Sequence, residues 1–258
     1  EAGIESIRIG TKEMAFYPQR FDEAFVAMLD NFHKTYPEVG LHIVVHFEHP
    51  DEFLAKDPEG HYLRNGQGFL QWVPATGAAM RRLAGRGWLS VENQSPIIKG
   101  INDDPDALRI LQREFKRAGG ENHYFFCGRD IIAYRSFNVP IERAWQILNE
   151  SQRGLSGVES HARLSITHYK GKTEVNAVTN QPIPGLKGSE NGVVLFKILR
   201  SAGKATEKGK VCIVGRNPEA LWFDGYSDRV LFDEAGLYDY SRVKMARLTH
   251  GTPAPACR

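Results

Sequence analysis

One short run constrains the fold of this 258-residue chain more than any other feature. Leu41 to Phe47 reads LHIVVHF, nearly all apolar and rich in β-branched residues. It is too short for a buried helix and suits a central parallel strand covered on both faces. The segments around it repeat the theme. Glu5 to Gly10 reads as a strand ending in glycine, and Phe21 to Lys34 places Phe25, Met28, Leu29 and Phe32 on one buried helical stripe. Ala75 to Ala84, stopped by Gly85 and Gly87, is a short helix leading to a strand at Trp88 to Asn93. Asp104 then caps a helix with Pro105 in its first turn, Leu108, Leu111 and Phe115 on one face, and Gly119-Gly120 as its stop. Asn122 to Cys127 is a fourth strand, and Ile141 to Glu150 is a helix burying Ile141, Trp145 and Leu148. Strand and helix alternate, which is the pattern of an α/β fold with βα units around a parallel sheet.

Two regions break the alternation. Pro50 to Pro74, with Gly60, Gly66 and Gly68, reads as a long connection. After residue 157 strands and turns dominate, at Arg163 to His168, Thr173 to Val178, Gly192 to Leu199 and Val211 to Gly215. The expected organisation is therefore an α/β portion over residues 1–157, a β-rich portion over 158–250, and a disordered tail over 251–258. Lys187 to Lys210 is locally basic and reads as a solvated hairpin or loop. A formal charge of +2 is too mild to argue for a nucleic-acid or membrane partner, and no apolar run is long enough for a spanning helix. Cys127, Cys212 and Cys257 are too far apart for a local metal clip or a disulfide framework, which points to a reducing cytoplasm. The start at Glu1, with a strand pattern beginning almost at once, reads as mid-domain sequence, so the chain is expected to be N-terminally incomplete.

In parallel βα folds the working residues collect at the C-terminal ends of the strands. Here those ends carry Arg8, then His46 and His49 in VVHFEHP, then Asn93 and Gln94 in VENQSP, and Cys127 to Asp130 in FFCGRD. His46 and His49 could ligate a metal or contact a cofactor. Without carboxylate or cysteine partners at a recognised spacing, a histidine satisfying loop and capping groups is the simpler account, and no metal site is assigned. Asn93 and Gln94 suit a strand-to-loop turn as well as a ligand.

Together these segments resemble the radical S-adenosylmethionine family that includes lysine 2,3-aminomutase. The resemblance rests on IRIGT (Ile7 to Thr11), YPQRF (Tyr17 to Phe21), HFEHPDE (His46 to Glu52), NQSPIIKGINDD (Asn93 to Asp104), HYFF (His123 to Phe126), FNVPIERA (Phe137 to Ala144) and RGLSG (Arg153 to Gly157). It implies the later strands of a partial (β/α) barrel, with a β-rich C-terminal extension. It also implies an enzyme, an aminomutase, in which a [4Fe–4S] cluster cleaves S-adenosylmethionine and pyridoxal 5′-phosphate holds a small amino-acid substrate, possibly in a homo-oligomer. Under it His46, Gln94 and neighbouring Asn93 meet S-adenosylmethionine. Lys172, after Gly171, is the lysine joined to pyridoxal phosphate, with Lys170 as competitor. Two substrate-binding acids of the lysine-specific enzyme are replaced by Arg129, with Asp130 beside it, and by Ser165. A basic residue there suits an acidic side chain such as glutamate's. The cluster motif C-x₃-C-x₂-C is absent from these 258 residues, so its ligands, and the arginines for the cofactor phosphate, are expected outside them. The chain alone should then be inactive. Two other readings remain open: a non-catalytic half-barrel that lost the cluster, and a metal-dependent hydrolase using His46 and His49.

Overall fold

In the computed structural model, which describes residues 3–201 and 205–239, the chain divides into two units, Glu1–Ile166 and Thr167–Arg258. The first is built on parallel strands β1 (Ser6–Thr11), β2 (Gly40–Val45), β3 (Leu89–Pro96), β4 (Glu121–Phe126) and β5 (Arg163–His168), of which the last two residues, Thr167 and His168, belong to the second unit. They pair strictly in chain order. Between them lie the short α1 (Glu13–Phe16), then α2 (Glu23–Thr35), α3 (Pro74–Ala84), α4 (Pro105–Arg117) and α5 (Ile141–Gln152). Every crossover advances one strand in the same direction. Because such crossovers are right-handed, the intervening helices must all fall on one face of the sheet.

Side-chain alternation then divides the sheet into two unlike faces. Leu41, Ile43 and Val45 of β2, Val91 of β3, Phe125 of β4 and Leu164 of β5 are buried. The alternate positions carry Arg8, His42, Glu92, Tyr124 and Arg163, none of them fully buried. LHIVVHF is thus not covered equally on both faces: Val44 is buried, but His42 and His46 on the same side are only half-buried. β1 pairs only with β2 among the described residues, and its residues alternate between exposed and half-buried.

Several local expectations shift. α2 starts after Asp22, whose Oδ1 accepts from the Phe25 amide at 2.8 Å, and it buries Val26 and Leu29 while Met28 is exposed. The predicted stripe is shifted toward Val26, and Phe25 packs edge-to-face on Phe21, 5.3 Å between centroids. In α5, Ala144 and Ile147 take the buried positions beside Ile141 and Leu148, with Trp145 half-buried. α4 follows the pattern read from sequence, capped by Asp104 and burying Leu108, Leu111 and Phe115. The long connection after Pro50 has structure of its own: antiparallel bridges Leu54–Trp72, Lys56–Tyr62 and Arg64–Leu70 make a narrow ribbon. Phe47, Phe53, Trp72 and Phe115 pack with tilted and edge-to-face rings where it meets the core.

The second unit is antiparallel, with β6 (Gly171–Thr179), β7 (Val193–Ser201), β8 (Val211–Gly215) and β9 (Val230–Asp233) pairing in order. Its core joins Phe196, Phe223 and Tyr226. The basic stretch Lys187 to Lys210 is therefore more than a solvated hairpin, since it contains β7 with Val194, Phe196 and Ile198 buried. Gly171, at φ 140°, lets β6 approach β7 so closely that a Cβ there would lie 2.0 Å from the Arg200 carbonyl oxygen. The expected tail over 251–258, and Cys257, lie outside the described residues. Among the described residues no helix is long and apolar enough to cross a membrane.

His168 is buried against the Phe223 ring, 4.5 Å between centroids. Burial, with the Lys170 ammonium adding to it against the pull of Asp233, lowers its pKa to about 4. Unfolded, the imidazole takes a proton near pH 6.5; folded, it does not. Stability is therefore undiminished above about pH 6.5 and falls as pH drops toward 4. Chemical denaturation at pH 7.5 and pH 5 should show a loss of about 2 kcal/mol from this residue, and His168→Phe should reduce the difference by about that amount.

Candidate functional site

At the C-terminal ends of the parallel strands the sheet ladder stops, and the backbone groups of the following loops need other partners. The loop after β2 shows how they are met. The peptide joining His46 to Phe47 is held at both ends: Lys12 Nζ donates to the His46 carbonyl at 2.9 Å, and the Phe47 amide donates to Asn93 Oδ1 at 2.9 Å. At the next peptide Asn93 Nδ2 donates to the Phe47 carbonyl at 3.1 Å, while the Glu48 amide donates to Glu52 Oε2 at 2.7 Å. At the third, Asn102 Nδ2 donates to the Glu48 carbonyl at 3.0 Å, and the His49 amide reaches Glu52 Oε2 at 3.5 Å. Four side chains from different segments fix three consecutive peptide planes. Phe47, between them, is wholly buried.

This explains much of the NQSPIIKGINDD block. Asn93 lies inside β3, which runs on to Pro96 instead of ending at Asn93, and it spends both amide atoms on Phe47. Asn102, 0% exposed, also donates to the Pro96 carbonyl at 2.9 Å and accepts from the Ile98 amide at 2.6 Å. Asp104 caps α4. Gln94 is different. It is 8% exposed, yet its Nε2 has no hydrogen-bond partner. A buried amide donor left unmade costs about 1–3 kcal/mol, so it marks a place where a ligand acceptor would be favoured. Ser165 Oγ, on β5, is likewise buried without a partner.

His46 is one residue beyond Val45, which pairs with Asn93, so His46 and Gln94 follow each other in register on neighbouring strands. The His46 ring makes no hydrogen bond. Burial, and next the Lys12 charge, push its pKa down against the pull of Glu52, leaving it neutral at neutral pH. His49 instead turns to the backbone: its Nδ1 accepts from the Asp51 amide at 3.2 Å and caps the turn at Pro50–Glu52. Among the described residues no group of three or more His, Cys, Asp or Glu could hold a metal ion.

Arg8 sits within β1 and not at its end, on the polar face of the sheet. There the Glu92 carboxylate is approached by His42 Nδ1 and His123 Nδ1 at 3.6 Å and by Arg8 Nη2 at 3.9 Å. After β4, Asn138 of FNVP donates to the Arg129 carbonyl at 3.0 Å. A Cβ on Gly128 would sit 2.0 Å from Asn138 Oδ1, so only glycine fits beneath that clamp. The Arg129 side chain is exposed and makes no hydrogen bond. Asp130 is already taken by the Arg135 guanidinium, at 2.5 and 2.6 Å, which holds its carboxyl below the usual range. Cys127 is buried, and burial pushes its thiol up to about 12.

Lys172 and Lys170 belong to the second unit. Lys172 is half-buried at the start of β6 opposite Arg200. Lys170 Nζ lies over Gly236, 3.1 Å from where a Cβ would be. The glycine preceding Lys172 is required by the approach to the Arg200 carbonyl, so strand pairing accounts for Gly171.

No protein-family model matches the chain. It is 28% identical over 228 residues to "Putative L-lysine 2,3-aminomutase" of Aquifex aeolicus, covering 88% of this chain and 52% of that protein. It is 24% identical over 155 residues to glutamate 2,3-aminomutase of Clostridioides difficile, covering 60% and 31%. It is 23% identical over 151 residues to L-lysine 2,3-aminomutase of Acetoanaerobium sticklandii, covering 58% and 30%. The resemblance to the lysine 2,3-aminomutase family is shown. The chain spans about half the length of the first of these relatives and about a third of the other two.

What the sequence reading of this aminomutase relative missed is Lys12, the clamping use of Asn93, Asn102 and Asn138, and the charged row around Glu92. Lys12 left a signal: it stands one residue past a strand, while Glu48 and Glu52 flank the His49-Pro50 turn with no cation of their own. Asn102→Ala would strand the Ile98 amide and loosen two carbonyls at once. A loss of about 2–4 kcal/mol is expected in chemical denaturation, with faster hydrogen exchange at Ile98.

Proposed function

We propose that this chain contributes to an S-adenosylmethionine-dependent amino-acid 2,3-aminomutase, an isomerase that moves an α-amino group to the β-carbon. The observation that carries the reading is Gln94: a buried, unpartnered amide in the NQSP block, next in register to a neutral His46 whose ring makes no hydrogen bond. Both groups suit the amino-acid or sugar portion of S-adenosylmethionine. Asn93, with both amide atoms bonded to Phe47, holds the loop beside them and keeps one N–H for a ligand. The sequential strand order, with one polar face, supports the half-barrel that the resemblance implies, since its inner face would receive the ligands.

In this reading Lys172, with Lys170 as second candidate, would hold pyridoxal 5′-phosphate, whose ring would supply electron delocalisation, and S-adenosylmethionine, given one electron by an iron–sulfur cluster, would supply hydrogen-abstracting radical chemistry. The protein's part is placement and exclusion of water. The described cysteines do not fit an iron–sulfur cluster: Cys127 and Cys212 are both buried, in separate units, with thiol pKa values raised chiefly by burial. Cluster ligands would come from outside these 258 residues. Arg129, exposed and uncommitted, would take a substrate carboxylate, favouring glutamate over lysine, while Asp130 is neutralised by Arg135. The setting proposed is cytoplasmic, with a small-molecule substrate and a homo-oligomeric assembly.

Titration with S-adenosylhomocysteine, followed by NMR, should shift the Gln94 side-chain amide and the His46 ring. Gln94→Leu should abolish the response without loss of stability, since it removes an unmet donor. Shifts scattered elsewhere, with neither residue moving, would count against the site. In the complete enzyme Arg129→Asp should lower glutamate turnover at least about tenfold, the range of a lost charge-assisted contact. Unchanged preference between glutamate and lysine would remove Arg129 from specificity.

A further inference from the structure

We infer that Lys12 is a positioning residue that presents the His46 imidazole to its ligand, an inference resting on the reading of His46 as a binding group. Lys12 stands one residue beyond β1, on the strand next to β2. Its ammonium donates to the His46 carbonyl and to the carboxylates of Glu48 and Glu52. A lysine ammonium has three N–H donors, and these three acceptors use all of them. All three acceptors belong to the single loop that follows β2.

The geometry makes Lys12 half of a vice. Asn93 grips the N–H end of the His46–Phe47 peptide, and Lys12 grips its carbonyl end. Since the next residue, Phe47, is locked in the core, the orientation of that peptide decides where the His46 side chain leaves the backbone. Asn93 and Asn102 lie deep and cannot be separated from folding. Lys12 is about one-third exposed, so its hydrocarbon stem remains solvated when the charge is removed, and its contribution can be isolated. Glu52 ties the same ammonium to the amides of Glu48 and His49. A displacement of Lys12 would thus be felt through the whole loop. Lys12 does not touch the proposed ligand in this account; it acts through His46.

The test compares wild type, Lys12→Met, Lys12→Arg and His46→Ala for S-adenosylhomocysteine affinity, with the His46 ring resonances recorded in each free protein. Lys12→Met is expected to weaken binding about tenfold and to shift or broaden the His46 resonances. Lys12→Arg, which can still donate to the carbonyl and both carboxylates, should restore most of the affinity. If Lys12→Met binds as wild type while His46→Ala does not, the positioning role is overturned and the reading of the site survives. If wild type itself does not bind, that reading fails, and the His46 resonances alone decide: unchanged in Lys12→Met, they overturn the inference. Should Lys12→Met not fold, Glu48→Gln loosens the same ammonium. A several-fold loss of affinity, or in a non-binding protein a shift of the His46 resonances, supports the role, and its absence refutes it.

Discussion

Three asparagines hold the ends of the parallel strands in place, and the rest of the candidate site depends on them. Where strands stop, carbonyl and amide groups lose the partners that the ladder supplied, and a nearby loop cannot supply them at the right angle. An asparagine side chain offers one acceptor and two donors in a planar group shaped like a peptide, so it can replace a missing stretch of strand. Asn93 does this for Phe47, Asn102 for Glu48, Pro96 and Ile98, and Asn138 for Arg129. Each belongs to a motif that carries the family resemblance. Their presence in those motifs has an architectural cause as well as any connection with ligands.

The handedness of the crossovers supplies the second constraint. Five parallel strands in chain order place every helix on one side, and the apolar residues of the strands follow them there. The opposite face, Val44 apart, carries Arg8, His42, Glu92 and His123, gathered across four neighbouring strands with the other three 3.6 to 3.9 Å from the Glu92 carboxylate. A face of this kind could not be the dry contact of a doubly wound sheet without a large desolvation cost. It suits contact with water. His46 and Gln94 stand toward the C-terminal edge of that same face, so their polarity continues a row that begins well below them.

The elements of the first unit were largely legible because their periodicities are local. A strand such as LHIVVHF and a helix such as that after Asp104 announce themselves within a dozen residues. The buried stripe of α2 was only partly so: Val26 is buried where Met28 was expected, and Phe25 finds its ring partner in Phe21, just outside the helix. The ribbon after Pro50 was missed because its pairing is three isolated bridges and no run of alternating residues. In the site, motif residues were found but their division of labour was not: whether an asparagine binds a ligand or a loop depends on which backbone lies opposite, and that is a long-range fact. Lys12 and Glu48 are 36 residues apart in the chain, beyond the reach of any spacing rule.

The same distinction bears on Arg129 and Asp130. Adjacent in sequence and of opposite charge, they are equivalent candidates for binding a charged substrate until their surroundings are known. Arg135, five residues on, closes a two-pronged ion pair on Asp130, which satisfies that carboxylate and removes its net charge from the loop. Asn138 then fixes the Arg129 carbonyl, over a glycine that leaves room for nothing else. The backbone is thereby held while the guanidinium remains uncommitted. A guanidinium left uncommitted on a held backbone, beside a carboxylate already satisfied, makes this loop locally cationic, so the sign of its charge follows from which member of the pair the fold has already neutralised.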